Sequence, residues 1–280
     1  MVFKSPFPFA RGFNLPCGQC VGCRLSYSRQ WAVRCVHEAQ MHDNNSFITL
    51  TYSPDELMKR DNPWSLDVRD FQLFMKRLRK RYGKKVRFFH CGEYGDKNAR
   101  PHYHALLFGH DFEDKKLWQV RDDVRLFISD ELNELWPYGF STIGDVSFQS
   151  AAYCARYVMK KITGDKADDH YTWIDPTTGE VRPRSPEYCT MSRNKGLGHD
   201  WLMKYKSDVY PNDYVVVNGH EVKPPRYYDS LLSEEELATI KDKRAQEAGD
   251  PLVDYDDRMD RLWIKEQVKI DKLEKLVRDL

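Results

Sequence analysis

Phe88-Phe89-His90-Cys91-Gly92-Glu93-Tyr94-Gly95 and, after a short polar loop, Arg100-Pro101-His102-Tyr103-His104-Ala105-Leu106-Leu107-Phe108-Gly109 decide how this chain folds. Both runs are aromatic and aliphatic without a helical period, and a glycine stops each, so they read as two strands of a hairpin. Residues i and i+2 of a strand point to one face. His102 and His104 therefore share a face, and hairpin pairing brings the Glu93 carboxylate to them. His90 falls on the opposite face from Glu93. Two imidazoles and one carboxylate, with coordination positions left open, suit Mn²⁺ or Mg²⁺ acting on a phosphate. A lone His-x-His on a solvated edge strand would carry no such meaning; the nearby Glu93 makes the difference.

Downstream, residues 147–161 mix small, apolar and long side chains without proline and read as a helix ending near Gly164. Tyr153 and Tyr157 stand four apart on one face, with Lys160 and Lys161 just beyond. A tyrosine hydroxyl with its reference pKa of about 10 is a poor nucleophile at neutral pH. A metal on the phosphate or a nearby lysine removes that obstacle. The competing reading is an aromatic packing stripe.

Three segments in order, Ile48-Thr49-Leu50-Thr51-Tyr52, Pro101-His102-Tyr103-His104 and 153–161, resemble the three-motif signature of His-hydrophobe-His rolling-circle replication endonucleases. The start Pro16-Cys17-Gly18-x-Cys20-x-x-Cys23-Arg24 and the Glu93-Tyr94-Gly95 run resemble the replication initiation proteins of microviruses, particularly their gokushovirus branch. The likeness spans about 16–228; one departure is Tyr103, where many relatives carry an aliphatic residue. The resemblance implies metal-dependent nicking and joining of single-stranded origin DNA through a 5′-phosphotyrosine. His102, His104 and Glu93 would hold the metal, Tyr153 and Tyr157 would alternate as nucleophiles, and Lys160 or Lys161 would orient the phosphate. The spacing from Tyr157 to Lys160 matches single-tyrosine relatives and makes Tyr157 the expected first nucleophile. A host helicase and polymerase are the implied partners, in the bacterial cytoplasm. Two rivals stand against this reading. A non-catalytic, zinc-dependent nucleic-acid binder would form no covalent adduct; a three-histidine phosphohydrolase would need a histidine where Leu106 stands.

The net charge of +1 conceals an uneven distribution. Residues 59–100 hold 13 basic and 5 acidic side chains, whereas 229–280 hold 10 basic and 15 acidic ones. A phosphate backbone feels the local field. Lys76, Arg77, Arg79, Lys80 and Arg81, on one face of a helix expected over 67–82, and Arg193 and Lys195 in a polar loop are therefore candidate DNA contacts. Cys17, Cys20 and Cys23 fit a structural Zn²⁺ loop with Cys35 or His37 as fourth ligand, or else are free thiols. No apolar run approaches the roughly 20 residues that span a bilayer, and the N-terminus lacks the apolar stretch of a signal peptide. Strand, helix, strand, strand, helix predicts an α+β fold, a central antiparallel sheet flanked by helices. The expected organisation is an arm and cysteine loop (1–23), a catalytic domain (24–164), a loop and hairpin extension (165–228) and a charged helical tail (229–280).

Overall fold

The computed structural model describes residues 18, 20–83, 85–95, 98–121, 124–160, 167–174, 178–248 and 255–274. The fold is mixed α+β, built on a seven-stranded antiparallel sheet with helices on its faces. In chain order, α1 (Val21–Ala39) leads to β1 (Asn45–Thr51), a short α2 (Pro54–Met58) and α3 (Val68–Tyr82). The expected hairpin follows as β2 (Arg87–Tyr94) and β3 (Pro101–Phe108). A second hairpin, β4 (Lys116–Arg121) and β5 (Val124–Ile128), precedes α4 (Asp130–Leu135), β6 (Ser141–Gly144) and α5 (Phe148–Lys160). Next come α6 (Ala167–His170), the pair β7 (Thr172–Ile174) and β8 (Val181–Pro183), β9 (Tyr188–Met191) and α7 (His199–Val209). The chain closes with β10 (Val215–Val217), β11 (His220–Val222), α8 (Arg226–Asp229), α9 (Glu234–Ala248) and α10 (Tyr255–Glu274). Strand order across the large sheet is β4-β5-β6-β1-β3-β2-β9, with β3 near the centre.

Two compact units result, Trp31–Trp201 and a second of Met1–Gln30 with Leu202–Leu280. The first holds the large sheet. One sheet face is closed by α3, whose Phe71, Phe74, Met75 and Leu78 are buried against Ile48, Leu50, Tyr103, Ala105 and Leu107. Burying each such side chain contributes about 1.5–3 kcal/mol. Trp136 is fully buried on the same face, and its indole N–H donates to the Thr51 carbonyl at 2.8 Å. Asp67, rather than the expected Ser65, caps α3 by accepting from the Arg69 N–H at 2.8 Å. Gly139 has to be glycine because a Cβ there would lie 2.3 Å from the Ser53 nitrogen and 2.4 Å from the Thr51 oxygen. That close approach lets β6 run alongside β1.

In the second unit, β10 and β11 pair through a turn at Asn218-Gly219, both in the left-handed region (φ 51° and 78°). Such a turn matches the twist of a two-residue hairpin. Arg244 of α9 bridges two carboxylates, Asp213 at 2.5 Å and Asp229 at 2.8 Å. The helical tail is two helices, α9 and α10, rather than one continuous run. Among the described residues, no helix is long and apolar enough to cross a membrane.

Candidate metal centre

The site follows from strand register. Glu93 of β2 lies opposite His102 of β3, and Cys91 opposite His104. On the other side of β3, Thr49 lies opposite His104 and Thr51 opposite His102. Directly opposed residues share a sheet face, so Glu93, His102, His104 and Thr49 converge on the face away from α3. His102 Nε2 lies 2.7 Å from Glu93 Oε1, and His104 Nε2 lies 2.8 Å from the same oxygen. Among the described residues, these three are the one group of His, Cys, Asp or Glu side chains whose ligand atoms all lie within 4.8 Å of one another and could hold a metal ion.

The far side of each ring is held. His102 Nδ1 lies 3.0 Å from the Arg100 carbonyl oxygen, and His104 Nδ1 lies 2.9 Å from Thr49 Oγ1. A carbonyl only accepts, so His102 Nδ1 carries a proton and, in the neutral ring, Nε2 points a lone pair at Glu93. That arrangement demands positive charge between them, supplied by a second ring proton or by a bound cation. Burial pushes the Glu93 carboxyl up, but hydrogen bonds from His102 and His104 and their charge outweigh it and lower it to about 2. The carboxylate is therefore ionised at neutral pH despite being almost fully buried.

Helix α5 covers this face with Tyr153, whose hydroxyl lies 3.3 Å from Glu93 Oε1. Its ring stands edge-on to His104 at 5.0 Å and to Phe47 at 6.4 Å, and Phe47 in turn stacks on His104 at 5.7 Å. The α5 backbone is described through Lys160, but the side chains of Tyr157 and Lys160, and all of Lys161, lie outside the described residues.

His90 sits on the opposite face as expected, stacked on Phe71 at 3.5 Å with Nδ1 2.9 Å from Thr190 Oγ1. The basic helix neighbours the histidines in sequence, yet α3 lies across the sheet from them. Three of its five singled-out cations are engaged: Arg77 donates to the Leu135 carbonyl, Arg79 to the Val86 carbonyl, and Arg81 pairs with Glu134. Lys76 and Lys80 are exposed. Arg193 is exposed on the loop after β9, while Lys195 pairs with Asp200 at 3.1 Å. Cys17 lies outside the described residues; Cys20 and Cys23 are half-buried near the start of α1. Cys35 is fully buried, and burial pushes its thiol well above the ordinary value. A zinc ligand must be a thiolate, so Cys35 does not suit the role expected of it.

Reasoning from sequence missed Thr49 and the Arg100 carbonyl as the groups that orient the imidazoles. Thr49 carried one usable signal, its alternation with Phe47 and Thr51 along β1.

Residues 45–162 match the family model of the phage-type replication-associated protein ORF2. The chain is similar to the replication-associated protein VP4 of Bdellovibrio phage phiMH2K, 36% identical over 77% of this chain and 66% of the relative. It is 33% identical to the replication-associated protein ORF4 of Chlamydia phage 1, over 79% of this chain and 54% of the relative. It is 32% identical to the replication-associated protein ORF2 of Spiroplasma virus 4, over 84% of this chain and 74% of the relative. The chain thus spans just under two thirds of the length of the first relative and about half of the second. No solved structure matches it.

Proposed function

This chain belongs to the phage replication-associated proteins, and on that premise we propose that it starts rolling-circle replication by nicking and rejoining single-stranded origin DNA. The observation that carries this reading is the meeting of His102 Nε2, His104 Nε2 and the Tyr153 hydroxyl on one oxygen of Glu93. Two imidazoles and a carboxylate fit a divalent ion such as Mn²⁺ or Mg²⁺. Held by Glu93, His102 and His104, such an ion supplies polarisation of the scissile phosphate and screening of its charge.

The chain's own residues do the rest. A tyrosine oxygen attacks phosphorus, forming a tyrosine–phosphate bond as the bond from phosphorus to the 3′-oxygen breaks. The phenolic proton leaves the tyrosine, and the departing oxygen takes up a proton to end as a 3′-hydroxyl. The Tyr153 hydroxyl faces the ionised Glu93 carboxylate, which is an acceptor for that proton. The 5′-phosphotyrosine conserves the phosphodiester energy, so attack by a 3′-hydroxyl reseals the strand and frees the tyrosine without ATP. Tyr153 and Tyr157, four residues apart on α5, let one hold a strand end while the other cuts the regenerated origin. Lys160 or Lys161 orients the phosphate. Arg193 contacts the DNA backbone. A host helicase and polymerase in the bacterial cytoplasm extend the freed 3′-end.

The test is incubation of a 3′-end-labelled single-stranded origin oligonucleotide with the protein and Mn²⁺, followed by denaturing electrophoresis. Label migrating with the protein, dependent on the metal, is the expected result. Bound DNA without a covalent adduct would instead identify a non-catalytic nucleic-acid binder.

A further inference from the structure

A large groove lies on the sheet face away from Glu93, between α3 and the β2–β9 edge. Its volume is about 810 Å³, and Val68, Phe71, Met75 and Phe88 form its apolar wall. That size falls within the roughly 300–1,000 Å³ of small-ligand pockets. Four cations line it, Arg69, Lys76, Arg79 and Lys80, and no acidic side chain does.

The cations are spread along one helix. Arg69 and Lys80 are eleven residues apart, which on α3 is about 16 Å of rise. Arg79 is tied to the Val86 carbonyl, and its guanidinium lies over the Phe88 ring at 5.5 Å. The side chains of Arg69, Lys76 and Lys80 are exposed and make no ion pair among the described residues. Nearby Asp70 is already neutralised by Arg60 at 3.2 Å, and Asp67 is spent on the helix cap. An occupant that complements this groove carries regularly spaced negative charge along one edge and flat apolar groups along the other. Single-stranded DNA has that chemistry, with phosphates for the separated cations and bases for the aromatic wall.

We propose that this groove is a second single-stranded DNA site, tolerant of sequence and separate from the nicking site. It rests on the reading that the chain acts on single-stranded DNA, but not on the nicking chemistry. The sheet stands between the two sites, so one cannot be a continuation of the other over neighbouring nucleotides. A strand held in the groove keeps the protein on its template while the covalent end occupies the other face.

The experiment measures binding of fluorescent oligothymidylate by anisotropy in EDTA, where no metal assists the Glu93 face. Charge reversal at Arg69→Glu, Lys76→Glu and Lys80→Glu together is expected to weaken binding at least about tenfold at low salt. It should also lower the slope of log affinity against log salt by roughly 2, for three lost phosphate contacts. The neutral set Arg69→Gln, Lys76→Gln and Lys80→Gln should show a smaller loss in the same direction, with an unchanged melting temperature, and serves if the reversed set does not fold. His102→Ala should bind oligothymidylate like wild type in EDTA whether or not it nicks. Wild-type affinity and slope in both groove variants would overturn the proposal. So would loss of polyglutamate binding with DNA binding intact, which would assign the groove to an acidic protein partner.

Discussion

His90 and His104 sit on neighbouring strands of one sheet, both nearly inaccessible to solvent at 0% and 2%, and they have opposite fates. His90 faces α3, stacked on Phe71 with one nitrogen at Thr190, and its Nε2 is buried with no hydrogen-bond partner among the described residues. Burial drives its pKa well below the ordinary value, so it is a neutral core residue. His104 faces α5, where Thr49 holds Nδ1 and Nε2 meets the carboxylate that His102 and Tyr153 also reach. Burial alone therefore does not mark a functional histidine. What separates the two is convergence: several polar atoms aimed at one point, against one ring sandwiched among aromatics.

If the two faces divide labour in this way, substitutions on them should fail differently. The largest effect is expected at His102→Ala and His104→Ala, each cutting the nicking rate about a thousandfold or more through loss of metal-assisted charge stabilisation. Melting temperature should move by only a few degrees. Single-turnover nicking with excess Mn²⁺ is the measurement, and a wild-type rate in either variant would break the assignment of this face. Glu93→Gln keeps the shape but loses the charge, so it should mainly raise the Mn²⁺ concentration required.

Across the sheet, Phe71→Ala should show the converse. Removing a fully packed ring costs about 3–5 kcal/mol of stability, read as an earlier urea midpoint. The fraction still folded should nick at the wild-type rate. A rate loss beyond the unfolded fraction would mean that the core face communicates with the site.

The third effect is smaller and concerns pH. His90 is held neutral, and burial lowers His37 to about 3. A histidine whose folded pKa is depressed binds a proton in the unfolded chain first. Its stabilising contribution is whole above about pH 6.5 and is lost as pH falls below that, at no more than about 1.4 kcal/mol per pH unit for each histidine. For His37 the loss continues down to about 3. His90→Leu should therefore flatten the decline in stability between pH 7 and pH 5. An unchanged slope would show that His90 takes up its proton in the folded state.

The pleat explains why so much of this site was legible. A hairpin with a period of two fixes that His102 and His104 share a face, that Glu93 joins them and that His90 does not, and all four positions agree with the register. What could not be read is long-range. β1 flanks β3 on the side opposite β2, which brings Thr49 to His104 across a separation of 55 residues. β9 adds to the β2 edge from about a hundred residues away and closes the groove beside α3. Local charge density placed the basic helix next to the histidines; its apolar stripe, which has to bury against the opposite sheet face, decided otherwise. Packing of that stripe outweighs any pull between surface charges, because exposed ion pairs contribute only about 0–1 kcal/mol.

The smallest effect, and the sharpest test of the site face, lies between the two tyrosines. The Tyr153 side chain is buried, and its hydroxyl is within hydrogen-bond distance of the carboxylate that both imidazoles share. A covered hydroxyl engaged in that way is badly placed to receive the first incoming phosphate. One helical turn on, about 6 Å along the axis, Tyr157 stands three residues before Lys160. Tyr157→Phe should then lose most of the covalent adduct on a simple origin oligonucleotide, whereas Tyr153→Phe should keep it. Loss of the single hydrogen bond to Glu93 should cost Tyr153→Phe no more than about 0.5–1.5 kcal/mol of stability. Release of circular single strands needs a second hydroxyl while the first is still esterified, so both single variants should fail over repeated rounds. Reversal of the two adduct yields would make Tyr153 the first nucleophile and the hydroxyl at Glu93 its resting position. An adduct that survives in the double Tyr153→Phe, Tyr157→Phe variant would show that neither is the nucleophile, and that the aromatic ring beside His104 is packing after all.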